Sequence, residues 1–145
     1  MTRHPIIVSA CLLGLDTRYD GQNALNPGLI ESLKDKNIIP VCPEQLGGLP
    51  TPRPRSEITT GDGKDVLEGR AKVMDEHGKD VTSNFIKGAE EVLRIARLTG
   101  AREAILKENS PSCGVNSISR DNARIKGKGV TAAMLEKAGM KVDGV

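Results

Sequence analysis

Apolar residues along the chain occur in short blocks, and the spacing within each block indicates which element it forms. Three compact apolar runs, each bounded by polar or turn residues, predict buried strands: residues 5–10, 38–41 and 103–107. Residues 81–98 instead repeat apolar residues at helical spacing, and Gly100 follows where a helix end is expected. Strand and helix patterns therefore alternate along the chain.

Local end signals predict two further helices. Asn26 and Pro27 open the segment NPGLIESLKDK with residue types that begin helices. Residues 131–137 predict a last helix, which Gly139 closes, and a short strand is predicted at 140–142.

Three segments carry turn residues rather than a regular pattern. Residues 43–57 contain four prolines and two glycines, which predicts a long functional loop without regular structure. Residues 58–81 alternate short β-like pieces with turns, and we interpret the part VLEGRAKVMDEHGKDV, residues 66–81, as a strand pair or a small excursion. Residues 107–117, KENSPSCGVNS, favour turns and predict a loop that the preceding strand presents to solvent.

The alternation predicts a single Rossmann-like three-layer α/β domain over residues 1–145, with a mostly parallel sheet. Ligands of such sheets bind beyond the carboxyl ends of the strands. All three cysteines lie there, since Cys11 follows the first strand, Cys42 ends the second and Cys113 lies in the loop after the third. We therefore expect a shared site, the alternative being three separately buried small apolar side chains.

Composition narrows the range of partners. The net charge is +2, from 21 basic and 19 acidic residues, and the chain has one Tyr, one Phe and no Trp. Balanced charge and scarce aromatic side chains argue against a direct nucleic-acid partner. No apolar run approaches the roughly 20 residues of a membrane span. The N-terminus is interpreted as a strand rather than a signal peptide, so we expect a cytoplasmic protein with reduced cysteines.

Three converging thiolates indicate a soft metal or an iron–sulfur cluster. A structural zinc site needs four ligands, and neither His4, at the far end of the first strand, nor His77, in a turn, is a good candidate. Three ligands leave one metal position open, which is typical of catalytic sites. The sequence has no CxxC, GxGxxG or P-loop motif, so a thioredoxin-like pair and nucleotide-binding fingerprints are not predicted.

Several longer motifs resemble the thiouracil desulfidase family over roughly residues 5–120: VSACLLG, YDGQN, PVCPEQLGGLPTPRPRSEI, DVTSNFIKGAEEVL and ILKENSPSCG. The resemblance implies a [4Fe–4S] cluster held by Cys11, Cys42 and Cys113, whose fourth iron takes the sulfur of a thiolated nucleobase. The implied reaction is non-redox, and it converts a substrate such as 2-thiouracil, or a related thioamide, to the oxo base with release of sulfide.

The resemblance also implies roles for individual side chains. Glu44 is expected to activate water or move its proton, and Ser110 to bond the base or that water, with Ser112 as the second candidate. Ser112 is also a candidate substrate contact. The chemistry of the residues themselves adds four further candidates: Gly47 and Gly48 allow the backbone to approach the cluster or substrate, Arg53 could contact a substrate edge, and Tyr19 could cover the base. Each residue also has an ordinary structural alternative. Glu44 could be a solvated loop residue, the two serines could cap turns, and the two glycines could form a plain turn. Arg53 could lie on the surface, and Tyr19 could pack against the protein.

One position departs from the family pattern. Glu108 and Asn109 stand where we expect a basic or small pair, which predicts an added negative charge near the site.

Two other functions compete with the enzyme. A three-cysteine cluster could bind sulfide or another small ligand as a sensor or carrier, without turnover. A zinc deaminase-like hydrolase is the third candidate, but its H-x-E and P-C-x-x-C signature is missing.

Overall fold

A four-stranded parallel sheet forms the centre of the protein, which we describe over residues 4–145 of a computed structural model. In spatial order its strands are β2 (Ile38–Val41), β1 (Ile6–Ser9), β5 (Glu103–Leu106) and β8 (Lys141–Gly144). Each neighbouring pair is parallel. The predicted α/β fold with a parallel sheet is confirmed, and the last strand runs slightly beyond its predicted end.

Strand β1 is central, and this explains its uninterrupted apolar run. Ile7 pairs with Ile39 on one side and with Ala104 on the other. All four residues of β1 are buried, as expected for a parallel strand covered on both faces.

Helices cover both faces of the sheet and give three layers. Ile6 and Val8 pack beside Leu33 of α1 (Pro27–Leu33). On the other face, Ile7 packs with residues of α4 (Thr82–Thr99) and α5 (Val130–Lys137).

Two residues that were predicted to mark helix ends, Asn26 and Gly100, do so in the structure. Asn26 accepts a hydrogen bond from the backbone N–H of Leu29 at 3.0 Å. Gly100 ends α4 in the left-handed conformation, with φ 76°.

The two long turn-rich segments contain more regular structure than the sequence predicted. Residues 43–57 are not structureless, because they include helix α2 (Pro43–Leu46) and most of β3 (Ser56–Ile58). Residues 58–81 contain helix α3 (Gly63–Leu67) and strand β4 (Val73–Asp75). β3 and β4 pair antiparallel outside the main sheet, so only β4 of this pair lies in the segment interpreted as a strand pair, and its partner begins in the segment before it. Helix α3 was not predicted.

A β-hairpin follows the loop that carries Cys113. It consists of β6 (Ser117–Arg120) and β7 (Ala123–Lys126), which pair antiparallel. Asp121 and Asn122 form its turn with φ of 52° and 61°, the backbone that a two-residue hairpin turn requires. Sequence analysis did not identify this element.

Helix α2, which carries Glu44, lies directly against α4 because two glycines allow the backbones to meet. A Cβ added at Gly47 would lie 2.0 Å from the carbonyl oxygen of Asn84. One added at Gly88 would lie 2.0 Å from that of Pro43. The Asn84 side chain also donates to the carbonyl of Gly47 at 2.9 Å.

Within residues 4–145, no helix combines the length and the apolar character that crossing a membrane would require.

The close contact of α2 with α4 predicts the effect of a single methyl group. Gly88→Ala should lower the free energy of unfolding by about 1–3 kcal/mol, because the new Cβ meets backbone that cannot rotate away. This loss should outweigh the better helix propensity of alanine. Anaerobic chemical denaturation measures it.

Gly28→Ala in α1 is the matched control, since its added Cβ would be 3.6 Å from the nearest side-chain atom. It should be neutral or slightly stabilising. Equal stability of the two variants would show that the contact between α2 and α4 is looser than described.

Candidate functional site

The carboxyl ends of β1, β2 and β5 open into one cavity of about 200 Å³. Cys11, Cys42 and Cys113 all line it. The predicted convergence of the three cysteines is therefore confirmed. Parallel strands bring their carboxyl ends to the same edge, so cysteines far apart in sequence become neighbours.

Short elements directly after the first two strands position Cys11 and Cys42. Cys11 lies in a 3-10 turn (Ala10–Leu13) that follows β1 and ends at Gly14, whose φ is 91°. Cys42 is the residue before Pro43 at the start of α2, and its thiol lies 3.6 Å from the carbonyl oxygen of Thr17. Both thiols are partly buried.

The loop that carries Cys113 is fixed from two sides and is not presented to solvent as expected. The Ser110 hydroxyl accepts from the backbone N–H groups of Ser112 and Cys113 at 3.2 and 3.1 Å. The loop carbonyls at 111, 112 and 114 accept from backbone N–H groups at 129–132, where α5 begins. Cys113 is therefore buried, with 6% of its surface exposed.

Glu108 also holds this loop. Its carboxylate accepts from three successive backbone N–H groups, those of Val115, Asn116 and Ser117, at 2.8 to 3.2 Å. Burial acts to raise the pKa of Glu108, but these hydrogen bonds outweigh burial and hold that pKa below its usual range. The negative charge that the sequence predicted near the site is therefore the Glu108 carboxylate, and the backbone N–H groups of the loop bind it.

Burial also shifts the pKa values of two of the cysteine thiols. It raises the pKa of Cys113 to about 12, although hydrogen bonds with Ser9 and Ser112 act in the opposite direction. Burial likewise raises the pKa of Cys11, where the positive charge of Lys107 opposes the effect. Such thiols keep their protons at neutral pH until a metal displaces them.

Glu44 is the centre of a polar network beside the cysteines. One carboxylate oxygen accepts from Arg53 Nε at 2.9 Å, and the other accepts from the Ser112 hydroxyl at 2.9 Å. The Ser112 hydroxyl also lies 3.1 Å from the Ser110 hydroxyl. The network links the segment after Cys42 to the segment before Cys113.

Arg53 is buried, with 8% of its surface exposed, and its guanidinium is already bound. Besides Glu44, it donates to the carbonyl of Thr17 and the hydroxyl of Thr51, both at 2.8 Å. Its Nη2 also lies 3.8 Å from the sulfur of Cys42. Arg53 thus orients Glu44, while its expected contact with a substrate stays a prediction.

Tyr19 lines the cavity, and two cations lie near its ring. The guanidinium carbons of Arg18 and Arg55 lie 5.7 and 5.6 Å from the centre of its ring. The predicted contact of Tyr19 with a base stays a prediction, and it concerns a ring that makes two cation–π contacts.

Gly47 and Gly48 are not among the residues that line the cavity. Gly47 serves the contact between α2 and α4, and Gly48 follows it with φ 94°. Their expected approach to a cluster or substrate therefore has no support from this geometry.

Other cavity residues escaped the sequence analysis, among them Ser9, Arg18 and Lys107. Ser9 and Lys107 sit at the ends of β1 and β5, and the Ser9 hydroxyl accepts from the Lys107 backbone N–H at 3.0 Å. Ser9 and Lys107 lie at the ends of predicted strands, and this position in the sequence could have identified both as cavity residues.

Within residues 4–145, no three His, Cys, Asp or Glu side chains are grouped to hold a single metal ion. A [4Fe–4S] cluster makes a different demand, because each thiolate binds its own iron and the sulfurs stand farther apart. Three thiols from separate strand ends, facing one cavity, fit the donor set that such a cluster requires.

Comparisons with known proteins agree with this geometry. A family model described as 2-thiouracil desulfurase matches residues 6–143. The uncharacterized protein YbbK of Bacillus subtilis (strain 168) is 44% identical over 140 residues, covering 94% of this chain and 93% of that protein. A solved structure of TudS, described as a [4Fe-4S]-dependent thiouracil desulfidase, aligns with a TM-score of 0.85 and 39% identity, covering 98% of this chain and 91% of that one. With a family match over nearly its whole length, the chain belongs to the 2-thiouracil desulfurase family.

Proposed function

We propose that this protein is an enzyme that removes sulfur from a 2-thiouracil-like nucleobase, using a [4Fe–4S] cluster held by Cys11, Cys42 and Cys113. The observation that carries the proposal is the meeting of these three thiols with the oriented carboxylate of Glu44 in one cavity. The family and the [4Fe-4S]-dependent relative TudS support the same assignment.

The cluster would supply an iron without a protein ligand, a soft Lewis acid that polarises the thiocarbonyl and receives its sulfur. The overall reaction adds the oxygen of water to the thiocarbonyl carbon and breaks the carbon–sulfur bond. Sulfide leaves and the oxo base remains, so no oxidant or reductant is consumed. The residues of the chain must therefore provide binding, orientation and proton transfer.

Glu44 is the group proposed to take the proton from the attacking water. Its side chain is only 13% exposed, and Arg53 and Ser112 each hold one of its oxygens. A carboxylate fixed in this way faces the cavity in one orientation, which general base catalysis needs. The salt bridge to Arg53 also balances the charge of the carboxylate in this poorly solvated position.

Ser110 and Ser112 extend this network toward the substrate. Ser112 contacts Glu44 directly, and Ser110 reaches Glu44 through Ser112. Ser110 would then bind the water or the ring edge, while Ser112 holds the carboxylate. Tyr19 would cover the flat face of the base.

The cluster assignment predicts the metal content of cysteine variants. After anaerobic reconstitution, the native protein should contain about four irons and about four acid-labile sulfides per chain. Cys11→Ser, Cys42→Ser and Cys113→Ser should each lose the intact cluster. Iron and sulfide analysis measures this, and circular dichroism reports whether each variant is folded.

Leu98→Ser is the control, because Leu98 is 76% exposed on α4. It should retain full iron and sulfide. A folded Cys113→Ser protein with a complete cluster would contradict the assignment of Cys113, and zinc in the native protein would contradict the cluster itself.

The proposed role of Glu44 predicts that its substitution lowers turnover and leaves the cluster content unchanged. Glu44→Gln keeps the size of the side chain but cannot accept the proton, so kcat for thiouracil should fall by about 10²-fold or more. Iron content and the visible spectrum should stay those of the native protein. Steady-state sulfide release measures the loss.

Glu90→Gln removes a carboxylate from the exposed surface of α4 and should leave kcat unchanged. Normal turnover by cluster-loaded Glu44→Gln would show that another group takes the proton.

A further inference from the structure

Arg53 binds oxygen atoms with four of its five N–H groups. Nε donates to Glu44 at 2.9 Å, and Nη2 donates one hydrogen to the carbonyl of Thr17 at 2.8 Å. Nη1 donates to the carbonyl of Pro50 and the hydroxyl of Thr51 at 3.2 and 2.8 Å. Among residues 4–145, the second hydrogen of Nη2 is therefore the one guanidinium donor of Arg53 without an oxygen partner.

The sulfur of Cys42 is the neighbour of this remaining N–H group. Nη2 lies 3.8 Å from Cys42 Sγ and makes a hydrogen-bond contact with it. Arg53 is held in this place, since it is 8% exposed and its backbone N–H donates to the carbonyl of Tyr19 at 2.8 Å. The buried guanidinium cannot turn its plane away from the sulfur without breaking its hydrogen bonds to oxygen.

Binding of iron to Cys42 would strengthen this contact. As a thiol, Cys42 is the donor to the carbonyl oxygen of Thr17, at a distance of 3.6 Å. A thiolate has no hydrogen to donate, but it is a charged and therefore stronger acceptor. The carbonyl of Thr17 keeps its bond from Arg53, and the thiolate accepts the second hydrogen of Nη2. The arrangement therefore suits Cys42 as a metal ligand without any loss of a partner.

Within residues 4–145, Cys42 is the one cysteine that receives a hydrogen bond from a charged side chain. The hydrogen bonds at Cys113 come from the neutral hydroxyls of Ser9 and Ser112. A cluster held by three thiolates is an anion, and reduction by one electron makes it more negative. A charged donor at a ligand sulfur stabilises the reduced form more than the oxidised form, so it raises the reduction potential.

We propose that Arg53 donates a hydrogen bond to the cluster-ligating sulfur of Cys42 and raises the reduction potential of the cluster, besides orienting Glu44. Arg53 is then a positioning residue that joins the proposed base to the cluster through one rigid group. Electron density withdrawn from the ligand sulfur also favours acceptance of a substrate's sulfur by the open iron. The inference rests on the proposed function, because it takes Cys42 to be a cluster ligand.

The test is the midpoint potential of the anaerobically reconstituted cluster, from a redox titration followed by electron paramagnetic resonance. Glu44→Gln is the reference, because loss of Arg53 alone would leave the buried Glu44 carboxylate unpaired. Adding Arg53→Met to Glu44→Gln should lower the potential. Adding Arg53→Lys keeps the charge but not the planar set of donors, and its potential should lie between the two. Equal potentials with and without Arg53→Met overturn the inference.

Arg55→Met, also added to Glu44→Gln, controls for a general effect of positive charge. Arg55 lines the same cavity, but its guanidinium donates to Ser119 and Asn122 rather than to a cysteine. It should lower the potential less than Arg53→Met does, and iron and sulfide analysis should show a full cluster in every variant. A shift as large as that of Arg53→Met would assign the effect to charge alone and overturn the hydrogen bond.

A measurement on the protein without substitution at Arg53 covers the case in which its variants do not fold. Arginine labelled with the heavy nitrogen isotope in its guanidinium should show a magnetic coupling to the reduced cluster in pulsed electron paramagnetic resonance. The coupling should persist in Arg18→Lys and Arg55→Lys, which replace the other arginines of the cavity. Absence of the coupling in the native protein, or its loss in either of these variants, overturns the inference.

Sulfide release from 2-thiouracil separates this inference from the proposed function. If the cluster-loaded protein shows the expected shift and coupling but releases no sulfide, the proposed reaction fails and the contact stands. If it releases sulfide repeatedly while its potential does not respond to the loss of Arg53, the inference fails and the reaction stands. A protein that takes up no cluster overturns both.

Discussion

Parallel pairing of β1 with both β2 and β5 is the interaction on which the site depends. Ser9 lies beside Val41 in one ladder, and Val8 lies beside Ile105 in the other. This register brings the residues that follow each strand to the same edge of the sheet. A slip of one residue would move every side chain of β1 to the opposite face of the sheet, so core packing and the meeting of the three cysteines are fixed together.

The surroundings of the sheet then hold the segments of Cys42 and Cys113 firmly. α2 lies against α4 through Gly47 and Gly88, and the segment before Cys113 is bound by the start of α5. The bonds of Glu44 to Arg53 and Ser112 join the second cysteine segment to the third. This connection favours an enzyme over a sensor, because a protein that only binds sulfide has no need for an oriented carboxylate beside the ligand.

The sequence predicted what depends on local pattern. Apolar runs identified β1, β2 and β5, helical spacing identified α4, and strand-end position identified the three cysteines. The turn at Asp121 and Asn122 was missed, although both residue types accept positive φ and could have signalled the hairpin. The prediction of a long structureless loop at 43–57 was wrong. Its prolines suggested a break in regular structure, but proline is also favoured at the first position of a helix, and there it begins α2.

Features that depend on distant contacts could not be predicted. Cys113 looked exposed because nothing local shows that its loop carbonyls meet the N–H groups where α5 begins. The bond of Arg53 to Glu44 was not visible in the sequence, because the two residues are nine positions apart and Glu44 lies in α2. The role of Gly47 likewise depends on its contact with α4, which lies almost forty residues later in the chain.

The central claim is that this cavity carries out a reaction rather than only binding a ligand. The most direct measurement is the amount of sulfide released per cluster when the anaerobically reconstituted protein is given excess 2-thiouracil. The account predicts many sulfides per cluster, with uracil formed in equal amount and no added reductant. At most one sulfide per fully loaded cluster would contradict it and would indicate a sulfide-binding protein instead.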